Sequence, residues 1–219
     1  MTSLPKNNQS KSTETGKSRG NSLFPVFLKL NQLHTVLIGA GNIGLEKLCA
    51  ILLNSPEAQI TVVALTISPE VAVLAAGYNR VTIVQKAFAD TDLDDADLVI
   101  AATNNPELND FIRTSARSRR LLVNIADKPE LCDFYLGSIV QKGDLKIAIS
   151  TNGKSPTVAK RLKEVLNEAL PAELDTTLQQ MSRLRGTLSG DFAGKVKTLN
   201  EITSVLVSAP VTKKDNSSN

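Results

Sequence analysis

The chain has 219 residues, 42% of them hydrophobic and 21% charged, with a formal net charge of +3 and no Trp. That length can bury one sizeable core plus a smaller annex, and six Phe and two Tyr leave little with which to stack bases, which argues against a nucleic-acid partner. The basic excess belongs to the ends: residues 1–20 sum to +3 and residues 211–219 to +1, so the stretch between them sums to −1 and offers no basic face.

Residues 1–22 are mostly Ser, Thr, Asn, Lys and Gly, read as a disordered tail without the apolar middle of a secretory signal. His34 to Ile38 is a strand running into glycines. Residues 43–53 place Leu45, Leu48, Ile51 and Leu52 on one helical face. Ile60 to Leu65 is a second strand, and Ser68-Pro69 supplies a helix cap with Pro at the first helical position. Val81 to Val84 reads as a short strand, 97–102 as a strand buried on both faces, 106–117 as a helix and Leu121 to Ile125 as another buried strand. Strand–helix alternation at this spacing predicts an α/β fold with a doubly wound parallel sheet.

After Asp127 the rhythm changes. Phe134 to Val140 and Leu145 to Ser150 are strand-like runs separated by Gln141-Lys142-Gly143-Asp144, a hairpin signature. Ser155-Pro156 opens a helix with apolar positions 158, 159, 162, 165, 166 and 169. Pro171 starts a second helix, and a third is expected from Phe192 to Val207, before a second disordered tail at 211–219.

Gly39-Ala40-Gly41-Asn42-Ile43-Gly44 lies between a predicted strand and a predicted helix, the context in which G-x-G-x-x-G carries meaning. The first glycine permits the tight turn, the second lets backbone N–H groups approach a pyrophosphate, and the third lets helix and strand pack closely. The phosphates would sit at the positive end of the helix that starts near Asn42. The Asp or Glu that normally follows the second strand to bind a ribose 2′-OH is missing; Ala64-Leu65-Thr66 stands there, with no Arg either, so spacing alone does not choose between NAD and NADP. Thr103 and Asn104 follow the fourth strand at the edge where ligands of open sheets bind, and the same residues could equally cap the helix at Pro106.

With these pieces assembled, the chain resembles the dehydrogenase/ferrochelatase module of siroheme synthase, the precorrin-2 dehydrogenase family. Phe24-Pro25-Val26-Phe27, Val36 to Gly41, Glu46-Lys47, Ala101-Ala102-Thr103, Asn124-Ile125-Ala126-Asp127 and Ser150 to Pro156 occur in family order over roughly residues 23–170. The resemblance implies NAD as cofactor, oxidation of precorrin-2 to sirohydrochlorin, and a homodimer; some members also insert ferrous iron to give siroheme, a step the sequence leaves open. It further implies that Asn42, Ile43, Leu65 and Thr66 contact the cofactor, that Asp127 is the catalytic carboxylate, and that Thr151 lies near the tetrapyrrole. Asn152 departs from the family's usual Gly. The organisation expected is a tail (1–22), a Rossmann-type NAD-binding domain (23–133), a dimerisation segment (134–170) containing the hairpin, a helical domain (171–210) and a tail (211–219).

From the residues themselves, Asp127 follows a strand that should end at the ligand edge, although Asp127-Lys128-Pro129 is also ordinary turn chemistry. Thr151, Gly153, Lys154 and Ser155 lead into a capped helix start that attracts anions and would suit a polycarboxylate substrate, with Lys160 and Arg161 one turn on; a plain capped helix with a solvated basic face explains them equally well. His34, the single histidine, begins the first strand and reads as structural. Arg117, Arg119 and Arg120 read as a solvated helix end. Cys49 and Cys132 show no C-x-x-C or paired His, so neither a disulfide framework nor a bound metal is expected, and a reducing, cytoplasmic setting is. No run approaches the roughly 18 apolar residues of a membrane helix. The rival from another class is a non-catalytic NAD-sensing regulatory module of a transporter, which would have a similar glycine turn but normally keeps the acidic residue after the second strand.

Overall fold

A computed structural model of the chain describes residues 20–189 and 191–204. Of the tails expected at 1–22 and 211–219, residues 1–19 and 211–219 lie outside the described residues, as does the end of the third helix beyond residue 204. Five parallel strands, β1 (His34–Ala40), β2 (Gln59–Ile67), β3 (Val81–Gln85), β4 (Leu98–Ala101) and β5 (Leu122–Ile125), form one sheet in the order β3-β2-β1-β4-β5. The chain leaves β1 in one direction to build β2 and β3, then returns to the other side of β1 for β4 and β5. That reversal opens a crevice at the carboxyl ends of β1 and β4.

Alternation along the strands divides the core in two. Leu37, Ile60, Val62 and Ile100 pack beneath helix α1 (Asn42–Asn54), through Leu48, Ile51 and Leu52, and beneath α2 (Pro69–Ala76) through Val71. Val36, Ile38, Val99, Val123 and Ile125 face the opposite way, onto Ile112 and Ala116 of α3 (Pro106–Ser118). All four residues of β4 are buried, the burial expected of a central strand covered on both faces. Ser68 caps α2 by accepting from the Val71 N–H, as Ser68-Pro69 predicts.

The β3–β4 connection has no full helix. Its single helical turn, Asp90–Leu93, sends Leu93 into the core and is held by charge. Arg119 pairs with Asp90 at 2.5 Å and Asp94 at 2.8 Å, while Lys86 pairs with Asp92. The Arg119 guanidinium holds the Asp90 carboxyl below the usual range. This corrects the reading of residues 117–120 as a solvated helix end: Arg119 ties α3 to this turn, and Arg117 reaches Asp133 at 3.3 Å.

Beyond β5 the hairpin is β6 (Ser138–Lys142) and β7 (Leu145–Ile149), antiparallel, with Lys142 opposite Leu145. The first strand is therefore shorter than Phe134 to Val140, and Gln141 and Lys142 belong to it rather than to the turn. Residues 134–137 are diverted: the Phe134 carbonyl accepts from Asn124 Nδ2 at 2.8 Å and Tyr135 Oη donates to the Pro129 carbonyl at 3.0 Å. The two-residue turn puts Gly143 at φ +56 with Asp175 packed against its Cα, where a side chain would not fit. Helix α4 (Pro156–Ala169) covers one side of the hairpin, and α5 (Leu174–Thr187) and α6 (Phe192–Thr203) follow. Asp175, in the first turn of α5, accepts from the Asp144 N–H at 2.8 Å. Among the described residues no helix is long and apolar enough to cross a membrane.

Candidate active site

A cleft of about 890 Å³ opens at the carboxyl edge of the sheet, within the range of cofactor and ligand pockets. Gly39, Gly41, Asn42 and Ile43 line it from the turn after β1, and Leu65, Thr66 and Ser68 from the end of β2. Thr103 and Asn104 follow β4, and Asp127 follows β5. The structure thus brings together residues spread over nearly ninety positions of sequence. Ala87, Phe88, Leu108 and Ala126 also line the cleft. Sequence reasoning passed over them because they are apolar; their one signal is position, since the β3 loop ends at the same edge.

The glycine turn divides its labour by geometry. Gly39 sits at φ +105, and a Cβ there would lie 2.4 Å from the Ala102 carbonyl oxygen. A Cβ on Gly44 would lie 2.2 Å from the Gly39 carbonyl oxygen, so this third glycine serves helix–strand contact; it is buried in α1 and does not itself line the cleft. Gly41 has nothing within 4 Å of its missing Cβ. It is also the N-cap of α1, with no side-chain cap and no acidic residue in the first turn. The first backbone bond closing the helix runs from the Leu45 N–H to the Gly41 carbonyl at 2.8 Å, leaving the amides of 42–44 without that partner at the positive end of the helix dipole. Open space beside unpaired donors fits a pyrophosphate.

At the other wall, Asn105 rather than Thr103 or Asn104 caps α3, accepting from the Leu108 N–H at 3.0 Å. Thr103 Oγ1 donates to Asn109 Oδ1 at 2.7 Å and faces the Asn105 N–H at 3.3 Å. Asn104 is exposed on the cleft. Asp127 is exposed as well, at φ +60, in a turn where the Ala126 N–H bonds the Ala101 carbonyl at 2.8 Å and ties β5 to β4.

Thr151, Gly153, Lys154 and Ser155 do not line this cleft; they form the connection from β7 to α4. Thr151 Oγ1 accepts from the Ser155 N–H at 3.2 Å, and Ser155 caps α4 through the Val158 N–H. Asn152 and Gly153 stand at φ +54 and +72. Asn tolerates the left-handed region better than other side chains, so its presence in place of the family's Gly is compatible with the turn. His34 is at the opposite edge of the sheet, its ring nitrogens 2.9 Å from the Asp95 carbonyl and 2.8 Å from Thr61 Oγ1, in keeping with a structural role. Among the described residues no cluster of three or more His, Cys, Asp or Glu is placed to hold a metal.

Comparison with known proteins agrees with this geometry. The model of an NAD(P)-binding family matches residues 26–138, and that of the sirohaem biosynthesis protein central region matches 142–168. The chain is 34% identical over 176 residues to the siroheme synthase of Psychrobacter cryohalolentis, covering 80% of this chain and 32% of that protein. It is 35% identical over 149 residues to that of Thioalkalivibrio sulfidiphilus, covering 68% and 30%. The chain therefore spans about a third of the length of these relatives. Among solved structures, SirC, precorrin-2 dehydrogenase, superposes with a TM-score of 0.68 at 27% identity, over 82% of this chain and 89% of that one.

Proposed function

The chain belongs to the NAD(P)-binding family whose model spans residues 26–138, and on that premise we propose that it is an NAD-dependent precorrin-2 dehydrogenase of siroheme biosynthesis, acting in the cytoplasm. The observation that carries the reading is the single cleft that joins the glycine turn at 39–43 to the Asp127 carboxylate. The likeness to SirC extends over both the sheet and the segments that follow it.

When bound, the nicotinamide cofactor accepts a hydride, the two electrons and one proton that leave the tetrapyrrole. The amides of Asn42 and Ile43 hold the pyrophosphate, Leu65 and Thr66 border the ribose, and Thr103 and Asn104 flank the nicotinamide end. Asp127, an exposed carboxylate at the same edge, accepts the second proton, so that precorrin-2 loses two hydrogens and becomes sirohydrochlorin. NAD is the cofactor of this proposal: Leu65-Thr66, at the end of β2, carries no cation to pair with a 2′-phosphate, and Thr66 or backbone groups take the ribose 2′-OH in place of the missing acid. Thr151, Gly153, Lys154 and Ser155 receive substrate carboxylates at the start of α4, where the helix dipole and the Lys154 ammonium act together.

The working unit we propose is a homodimer built on the hairpin and α4. Val158, Leu162 and Val165 of α4 are 50%, 45% and 58% exposed, an apolar stripe that a second copy would cover. Ferrous iron enters as a second substrate if the same carboxylate also removes pyrrole protons. The regulatory-module reading has no observation in its favour, since no acidic residue stands at the end of β2. Purified protein, NAD and enzymatically generated precorrin-2, followed by absorbance with and without ferrous iron, should give the sirohydrochlorin spectrum. Precorrin-2 left unchanged in the presence of NAD overturns the assignment, and a monomer by light scattering at micromolar concentration overturns the dimer.

A further inference from the structure

Asp127 occupies the left-handed region at φ +60, uncommon for a residue other than Gly and entered by Asp and Asn more readily than by other side chains. It is the third residue of a tight turn closed by the Lys128 N–H on the Ile125 carbonyl at 3.3 Å, the place where turns of this kind demand positive φ and usually carry Gly or Asn. The side chain that fastens this turn is Cys132. Its sulfur accepts from the Ile125 N–H at 3.3 Å, lies 3.1 Å from the Ile125 carbonyl and 3.3 Å from the Lys128 carbonyl, and receives Asn124 Nδ2 at 3.5 Å. One atom therefore touches both ends of the turn, two residues before Asp127 and one after it. Cys132 is half-buried against the α3 side of the core and does not line the cleft, so it cannot reach a bound substrate. Burial pushes its thiol up, which keeps it in the S–H form able to donate.

We propose that Cys132 is a positioning residue: by bonding Ile125 and Lys128 together, its thiol closes the turn that holds Asp127 in the left-handed conformation and aims the carboxylate into the cleft. The proposal rests on the reading of Asp127 as the proton acceptor and adds a residue that acts through it.

The test compares the full-length Cys132→Ala and Cys132→Ser proteins with wild type. Serine keeps a hydrogen-bonding group in the same place, although the oxygen reaches less far than sulfur. Cys132→Ala should speed amide hydrogen exchange at Ile125 and Lys128 and lower kcat by on the order of tenfold to a hundredfold. NAD affinity and the KM for precorrin-2 should stay within about twofold, since neither ligand is touched. Cys132→Ser should recover most of kcat. Ile60→Val, a core truncation on the other side of the sheet, controls for stability and should lower Tm without changing kcat. Wild-type kcat in Cys132→Ala, unchanged exchange, or equal losses in kcat and NAD affinity for the Ala and Ser variants each overturn the proposal. The exchange measurement needs no substrate. A wild-type protein that leaves precorrin-2 unchanged thus overturns the function assigned to Asp127, while exchange still decides whether the thiol fastens the turn.

Discussion

Alanine placed at each of the three glycines of the turn should give three different proteins. At Gly39 the new methyl meets the Ala102 carbonyl oxygen at 2.4 Å and its carbon at 2.8 Å, and the backbone at φ +105 is strained for any L side chain. Strain of about 1–3 kcal/mol adds to overpacking of about 1–3 kcal/mol against rigid main chain, roughly 4 kcal/mol together. For a chain of this size that lowers Tm by about 8–16 °C. At Gly44 only the overlap with the Gly39 carbonyl remains, about 2 kcal/mol, and the better helix propensity of Ala returns about 1 kcal/mol, for a net of roughly 1 kcal/mol and about 2–4 °C. At Gly41 the backbone is extended, at φ −88, and nothing lies within 4 Å. The poorer N-cap offered by Ala and the reduced entropy of the unfolded chain nearly cancel, at about 0.5–1 kcal/mol each. Gly41→Ala should therefore melt like wild type yet bind NAD about tenfold or more weakly, a loss of about 1.4 kcal/mol, because the methyl occupies the path of the pyrophosphate. Circular-dichroism melts and calorimetric NAD titrations read the two quantities separately. Wild-type NAD affinity in Gly41→Ala, or a wild-type melt in Gly44→Ala, refutes this division of roles.

Asp127→Asn keeps a residue suited to positive φ, so the turn should survive; turnover should drop about 10²-fold or more with NAD affinity intact, and wild-type turnover would remove the carboxylate from the reaction. Lys154→Glu should raise the KM for precorrin-2 and spare NAD binding, and an unchanged KM would take the β7–α4 turn out of substrate recognition. Because Arg119 depresses the folded-state pKa of Asp90 below 3.8, the pair stabilises the protein above that pH and loses its effect as pH falls through the lower folded value. Tm measured from pH 7 down to pH 2 should show a component that Asp90→Asn abolishes and that salt weakens; superimposable wild-type and variant profiles would count against it.

The sheet was legible because its signals are local. Short apolar runs, a glycine turn and Pro-marked helix starts at Ser68, Asn105 and Ser155 each depend on neighbours in sequence. Where the reading slipped, the cause was a contact from far along the chain. Phe134 to Gly137 have the composition of a strand, but Asn124 and Pro129 draw them away from the hairpin. Arg119 looked like a helix-end charge because its partners, Asp90 and Asp94, lie more than twenty residues earlier. Asp127 could be placed at the sheet edge by counting strands. Its left-handed backbone could not, since an Asp before Lys-Pro is compatible with several turns, and neither could the sulfur beneath it.

Thr103 shows what a hydroxyl can say to a guest. Its one proton points inward, to Asn109 Oδ1 at 2.7 Å with the Asn105 carbonyl at 3.3 Å as the other acceptor in reach, and the Asn105 N–H approaches one side of the oxygen. What it can still turn toward the cleft is a lone pair. Thr103 can therefore welcome an amide N–H, such as that of a carboxamide, but has nothing to give a carbonyl. A molecule presenting only acceptors would be refused by Thr103 and would have to turn to the exposed Asn104 amide beside it, so the two neighbours divide that wall between an acceptor and a donor.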